Sequence, residues 1–125
     1  MTDRLDLYGL RLDASSRRVY AGTAWRRLSA QPFEALRVLV LVGMDEPVTA
    51  AALRARLSWW EPALPVIGSY SARGIMSAQS LRTSIWRVRR ALLGIAARVW
   101  IETVMRDETV GRGARTYGFV LREMQ

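Results

Sequence analysis

Residues 77–93, which read SAQSLRTSIWRVRRALL, decide how the rest of the chain is interpreted. The hydroxyl of Ser77 can cap a helix, and Gly94 can end it. Apolar residues recur in this stretch at the spacing i, i+4, i+7 and i+11, namely Leu81, Ile85, Val88 and Leu92. That spacing is typical of an amphipathic helix with one face on a core. The stretch therefore predicts a helix whose opposite, arginine-bearing face is free for another role.

The chain is strongly basic, and its charge comes from one residue type. It has 125 residues and a net charge of +8, and all 19 of its basic residues are arginine. GC-rich coding explains the choice of arginine over lysine, but it does not explain the excess over acids. Guanidinium groups also match phosphate and guanine edges. The charge therefore indicates a polyanionic partner: DNA, RNA or an anionic membrane surface.

Several classes of site are excluded because the sequence contains no cysteine and no histidine. Disulfides, thiolate zinc sites, cysteine nucleophiles and Ser-His-Asp triads all need those residues. The acid pairs at 45–46 and 107–108 fall in predicted turns, and 111–113 lacks the rest of a phosphate-loop motif. We expect a protein that is not an enzyme and needs no cofactor. With no signal peptide and no apolar run long enough to span a bilayer, we also expect a cytoplasmic, nucleoid-associated protein.

The first part of the chain predicts an antiparallel sheet over residues 5–28. Residues 5–12, 17–20 and 24–28 each read as one strand, with Trp25 as the anchor of the third. Ser29 is then expected to cap a first helix that has Pro32 in its first turn and ends at Gly43.

The second part predicts two further helices and a hairpin. An extended link at 46–48 precedes a second helix over 50–57, which Thr49 caps. A long loop over 58–76 carries Trp59 and Trp60, and loops of that length are often functional. The helices together occupy 29–93, and strands at 98–105 and 115–121 form a C-terminal hairpin over 98–121. The fold class predicted is α+β, as a single domain over residues 1–125.

The order of these elements, with specific motifs, resembles the OmpR/PhoB-type winged helix-turn-helix DNA-binding domain. The similar residues lie at the beginnings of the helices and in the hairpin: Leu28, Ser29, Phe33 and Leu36; 47–49 with Leu53; 84–92; 101–104; and 117–119. The sequence departs from the family in having Pro32 for a glutamate, Thr116 for a glycine, a longer wing over 105–114 and no preceding receiver domain. A phosphorylation-driven regulator is therefore not expected, unless the sequence is a piece of a longer protein.

The resemblance implies which side chains face DNA. These are Gln79, Arg82, Thr83, Trp86, Arg87 and Arg90 on the third helix, with Arg112 and Arg115 on the wing. We expect Arg87 to read a base edge, because arginine to guanine is the commonest specific contact. Arg82 and Arg90 are expected on phosphates. The alternative for the arginines is a merely solvated face. Trp86 either packs on a sugar or a thymine methyl group of the DNA or belongs to the core.

Three functions remain open. The leading hypothesis is a sequence-specific transcription regulator that binds double-stranded DNA as a monomer or homodimer. The second is an interaction module that docks RNA polymerase or another regulator through the 58–76 loop, with Trp59 and Trp60 as its contacts. The alternative for these two tryptophans is that both cover the edge of the core. The third is a non-specific nucleoid-associated binder. RNA and membranes are disfavoured, because the pattern shows neither a sheet that presents aromatic rings nor a basic helix of the lipid-binding type.

Overall fold

The computed structural model of the chain describes residues 4–59, 76–107 and 115–124, apart from the side chains of residues 58–59, 106–107 and 115–116. These residues form an α+β structure of three helices and two antiparallel sheets. In chain order the elements are β1 (Arg4–Leu7), β2 (Leu10–Asp13), β3 (Arg18–Ala21), β4 (Ala24–Arg27), α1 (Ala30–Val42), β5 (Val48–Thr49), α2 (Ala50–Trp59), α3 (Ala78–Gly94), β6 (Val99–Asp107) and β7 (Arg115–Glu123).

The N-terminal sheet has four strands in the order β1-β2-β3-β4, where the sequence predicted three. Residues 5–12 are a hairpin and not one strand, because Tyr8 and Gly9 have φ of 57° and 75° and turn the chain. Positive φ at both central residues is the signature of a two-residue hairpin turn that matches strand twist. The sequence did not indicate this turn, because its first central residue is tyrosine and not the glycine, asparagine or aspartate that is usual there. The Tyr8 hydroxyl accepts a hydrogen bond from the Met44 backbone N–H at 3.3 Å, which ties the turn to the end of α1.

The predicted role of Trp25 is wrong. Its side chain is 42% exposed, whereas Leu12 and Val19 on the neighbouring strands are buried. Cross-strand pairing places Trp25 opposite Tyr20 and Tyr20 opposite Arg11, so these three share the outer face of the sheet. The core face is therefore made by the aliphatic residues of β2 and β3.

Helix α1 begins and ends as its sequence predicts. Ser29 has extended backbone and precedes Ala30, and Gly43 follows Val42 with a φ of 112°. The Gly43 N–H bonds to the Leu39 carbonyl at 3.2 Å. Phe33, Leu36, Leu39 and Val40 are all buried, so the apolar stripe faces the core.

The link before the second helix is a strand that the sequence did not reveal. Val48 pairs with Phe119 and Thr49 with Gly118, which makes β5 part of a sheet in the order β5-β7-β6. Thr49 also caps α2, because its hydroxyl accepts a hydrogen bond from the Ala52 N–H at 3.0 Å. Helix α2 continues to Trp59, two residues beyond its predicted end at 57.

Helix α3 and the hairpin occupy nearly their predicted ranges. Ser77 caps α3, with its hydroxyl accepting a hydrogen bond from the Ser80 N–H at 3.0 Å. Gly94 is the last helical residue, and Ile95 is the C-cap. The hairpin strands β6 and β7 pair from Val99 with Glu123 to Asp107 with Arg115. Each strand is longer than the sequence indicated.

The core joins all of these layers in one cluster of buried side chains. It contains Leu10, Leu12 and Val19 of the N-terminal sheet; Leu36 and Leu39 of α1; Leu53 and Leu57 of α2; Leu81, Ile85, Val88 and Leu92 of α3; and Ile101, Phe119 and Leu121 of the hairpin. Burial of large aliphatic groups contributes about 1.5–3 kcal/mol each. The N-terminal sheet is thus held against the helices by the same core that holds the hairpin.

One acid is buried within this framework. Glu34 of α1 is 1% exposed, and its two carboxylate oxygens accept hydrogen bonds from Arg37 at 2.9 and 3.1 Å. Arg56 of α2 donates to the same carboxylate at 3.1 Å through Nε and approaches to 2.9 Å through Nη2. The Glu34 bond also raises the pKa of the Arg37 guanidinium above its ordinary value. A buried charge of this kind needs such partners, and here they join α1 to α2.

Candidate nucleic-acid interface

Helix α3 presents a row of side chains directly opposite its core stripe. The row consists of Gln79, Thr83, Trp86 and Arg90, with the spacing i, i+4, i+7 and i+11. Each of them comes two residues before a member of the buried stripe. Two residues correspond to about 200° of helix rotation, so this row points away from the core. All four side chains are exposed, as are Arg82 and Arg87 beside them. The row extends over about 16 Å at 1.5 Å per residue.

The open question about Trp86 is answered by its exposure. Its side chain is 54% exposed, so it does not belong to the core. The Arg90 guanidinium carbon lies 4.9 Å from the centre of the Trp86 ring, within the range of a cation–π contact. The two side chains therefore form a stacked pair on the outward row.

A groove lies between the first half of α3 and the beginning of α1. It has a volume of about 780 Å³, and its lining residues are Ser29, Ala30, Gln31, Pro32, Ser77, Gln79, Ser80, Thr83, Ser84 and Arg87. Three of these, Gln79, Thr83 and Arg87, were predicted as DNA contacts. Sequence reasoning missed the N-cap Ser29 and the first three residues of α1, although the Ser29 cap signal marked a helix beginning that could have been considered as part of the surface.

The electrostatics of this groove favour an anion. The N-termini of α1 and α3 both open onto it, and a helix N-terminus carries partial positive charge. Neither helix has an acidic residue in its first turn. The Ser29 side chain makes no cap hydrogen bond, so it leaves the first N–H groups of α1 for another acceptor. Among the residues that the structure describes, Arg87 is the charged side chain that lines the groove, and no carboxylate lines it.

Arg89 has a different position from the other arginines of α3. Its Nε donates to the Ile101 carbonyl at 2.8 Å and its Nη2 to the Thr103 hydroxyl at 2.9 Å. Partial burial lowers the pKa of the Arg89 guanidinium, which still remains charged at physiological pH. Arg89 therefore fixes the helix to β6 and is not a surface contact.

The remaining predicted site residues are only partly placed. Arg115 begins β7, opposite Asp107 at the far end of the hairpin, but its side chain is outside the described part. Arg112 and Trp60 lie outside the described residues altogether. Trp59 ends α2, so it is not in a loop as predicted; its side chain is likewise not described. The wing contacts and the tryptophan surface thus stay predictions.

The outer face of the N-terminal sheet carries a second set of arginine–aromatic contacts. The Arg11 guanidinium carbon lies 4.3 Å from the Tyr20 ring centre, and that of Arg18 lies 4.2 Å from the Trp25 ring centre. The ring centres of Tyr20 and Trp25 are 6.4 Å apart. The expectation that no sheet presents aromatic rings is therefore wrong. Because the guanidinium groups already stack on both rings, the contacts have an evident role in sheet stability.

The described part of the chain contains neither a cluster of acidic metal ligands nor a helix that could span a membrane. Among residues 4–59, 76–107 and 115–124, no three acidic side chains come together in a way that could hold a metal ion. Over the same part of the chain, no helix has both the length and the apolar character needed to cross a membrane.

Comparison with the models of known protein families gives no match, and comparison with curated proteins gives none either.

Proposed function

We propose that the chain is a winged helix domain that binds double-stranded DNA in a sequence-specific way and regulates transcription, with α3 in the major groove. The observation that carries this proposal is the outward row of α3. The helix has four arginines and no acid, and a continuous apolar stripe holds its other side on the core. An α-helix fits the major groove of B-DNA and meets base edges there. The charge and the phase of this helix suit that position.

The groove beside α3 supports a duplex and not merely a charged surface. Hydroxyl and amide side chains line it together with Arg87 and two helix N-termini. Phosphate oxygens accept hydrogen bonds from such groups, and these contacts fix the register of a protein on the duplex. Backbone contacts from the beginning of α1 would thus accompany base contacts from Gln79, Thr83 and Arg87.

The β6–β7 hairpin supports the winged arrangement. Arg89 bonds α3 to β6 through a carbonyl and a hydroxyl, so the hairpin has a fixed direction relative to the helix. A hairpin held in this way can reach the phosphates or the minor groove beside the one that α3 occupies. Of the two proposed wing contacts, Arg115 begins β7 at the far end of the hairpin, and Arg112 lies outside the described residues.

Replacement of Arg87 by alanine tests the base-reading role. DNA sequences are first enriched from a random duplex pool with the parent protein, and the affinities of parent and variant are then compared on enriched and random duplexes. We expect Arg87→Ala to weaken binding to the enriched sequence by about 1–3 kcal/mol and to reduce the preference over random DNA. Fluorescence anisotropy over a series of salt concentrations measures both quantities.

Arg11→Ala is a matched control, because it removes the same charge from the outer face of the N-terminal sheet. It should leave the sequence preference unchanged. Equal preference in Arg87→Ala and Arg11→Ala would contradict base reading by Arg87. If the pool yields no enriched sequence but binding falls steeply with salt, the chain is a non-specific DNA binder.

A further inference from the structure

The central position of Trp86 on the proposed recognition surface needs an explanation. Trp86 stands between Thr83 and Arg90 in the outward row, not at the edge of the row where it could fold back onto the core. In any complex that places α3 in the major groove, this row meets the floor of the groove. A large apolar ring is therefore brought to base edges that otherwise attract polar side chains.

Base chemistry limits what such a ring can contact favourably. The major-groove edges carry hydrogen-bond donors and acceptors, and the apolar group among them is the C5-methyl of thymine. Indole against a methyl group removes apolar surface of both from water. Against the polar edge of another base, the same ring would cover donors or acceptors without pairing most of them.

The stacked arginine reinforces this geometry. Arg90 lies 4.9 Å over the Trp86 ring, and this contact opposes rotation of the indole away from the row. A ring held in place before binding loses less side-chain freedom when it binds. The indole of Trp86, with the Arg90 guanidinium beside it, thus presents an apolar ring between the polar side chains of Gln79 and Thr83 and the C-terminal end of the helix.

We propose that Trp86, supported by Arg90, is a specificity-determining residue that reads the C5-methyl group of a thymine. This inference rests on the proposed function and adds the chemical group that is recognised. The affinity of the protein for DNA would then depend on the C5-methyl group of thymine, and removal of that group leaves the hydrogen-bonding pattern of the base pair unchanged.

The test compares enriched duplexes that contain thymine with the same duplexes in which every thymine is replaced by uracil. We expect the parent to bind the uracil form about fourfold more weakly for each methyl group that it contacts. Trp86→Ala should bind both forms with the same affinity. Trp86→Phe should keep the discrimination, because it retains an apolar ring, although that ring is smaller and lacks the indole N–H.

Thr83→Ser is the matched control, since threonine also carries a methyl group that can contact thymine. Whatever its effect on overall affinity, Thr83→Ser should keep the parent's ratio of affinities for the thymine and uracil duplexes. Loss of discrimination in Thr83→Ser but not in Trp86→Ala would assign the reading to Thr83 and overturn the inference. Equal affinity of the parent for the thymine and uracil duplexes would also overturn the inference about Trp86, but it would not contradict the proposed function in DNA binding. Failure to enrich any duplex would overturn the sequence-specific function and the inference together. Thermal unfolding of each variant identifies losses that come from misfolding.

Discussion

Replacement of both Arg37 and Arg56 by methionine is expected to lower the free energy of unfolding by about 3–5 kcal/mol. The reason is that Glu34 is 1% exposed and depends on these two side chains for its hydrogen bonds. Methionine fills similar space, so the change isolates the loss of charge pairing from the loss of volume. The Glu34 carboxylate would stay in a site that water hardly reaches, without the groups that compensate its charge. Chemical denaturation at equilibrium measures the effect.

The triple variant that adds Glu34→Met provides the control. It removes the buried charge along with its partners, and replacement of a buried ion pair by apolar residues is often neutral or stabilising. We expect it to recover most of the stability that the double variant loses. If the double and triple variants unfold at the same denaturant concentration, the cost lies in packing between α1 and α2 and not in an uncompensated charge.

Gly118→Ala should have the second largest effect, with a loss of about 3 kcal/mol. A Cβ on Gly118 would overlap the Val48 carbonyl oxygen and would lie 3.0 Å from the Thr49 Cα. Both neighbours are backbone atoms of β5, which cannot rotate away as a side chain can. The strand would have to separate from β7, with loss of pairing at both of its residues. Circular dichroism during thermal unfolding follows the change.

Gly94→Ala is the corresponding control in α3. The nearest atoms to its Cβ belong to the Arg26 side chain, with Nε at 3.0 Å, and that side chain is flexible. Alanine is also favoured over glycine in a helix by about 1 kcal/mol. We therefore expect Gly94→Ala to be neutral or slightly stabilising. If the Gly118→Ala and Gly94→Ala variants have the same thermal stability, β5 can move away from the added Cβ without loss of stability.

Helix α3 could be predicted from its sequence because its signals are local and repeated. The Ser77 cap and the stripe from Leu81 to Leu92 lie within one segment, and their period fixes both the helix and its outward face. The same phase placed Thr83 and Arg87 together on the surface. It could not decide between core and surface for Trp86, since a large aromatic residue is compatible with both positions.

Other features escaped prediction because they depend on residues far apart in the chain. Val48 and Thr49 form a strand only because β7 lies beside them, and two residues carry no period of their own. The groove joins α1 to α3 across about fifty residues of sequence. The buried position of Glu34 depends on Arg56 of another helix, whereas a single glutamate in an apolar stretch usually indicates an exposed turn of the helix.

Within the described residues, β1 and β4 are the edge strands of the N-terminal sheet, and this has a consequence for how copies of the protein behave in concentrated solution. Unpaired strand edges are templates for strand addition and aggregation. Here each edge strand has only four residues, and β4 carries adjacent arginines, Arg26 and Arg27. A second β4 placed beside the first at about 4.8 Å would bring these like charges together. The basic edge therefore opposes uncontrolled sheet growth, and this protection weakens as added salt screens the charges.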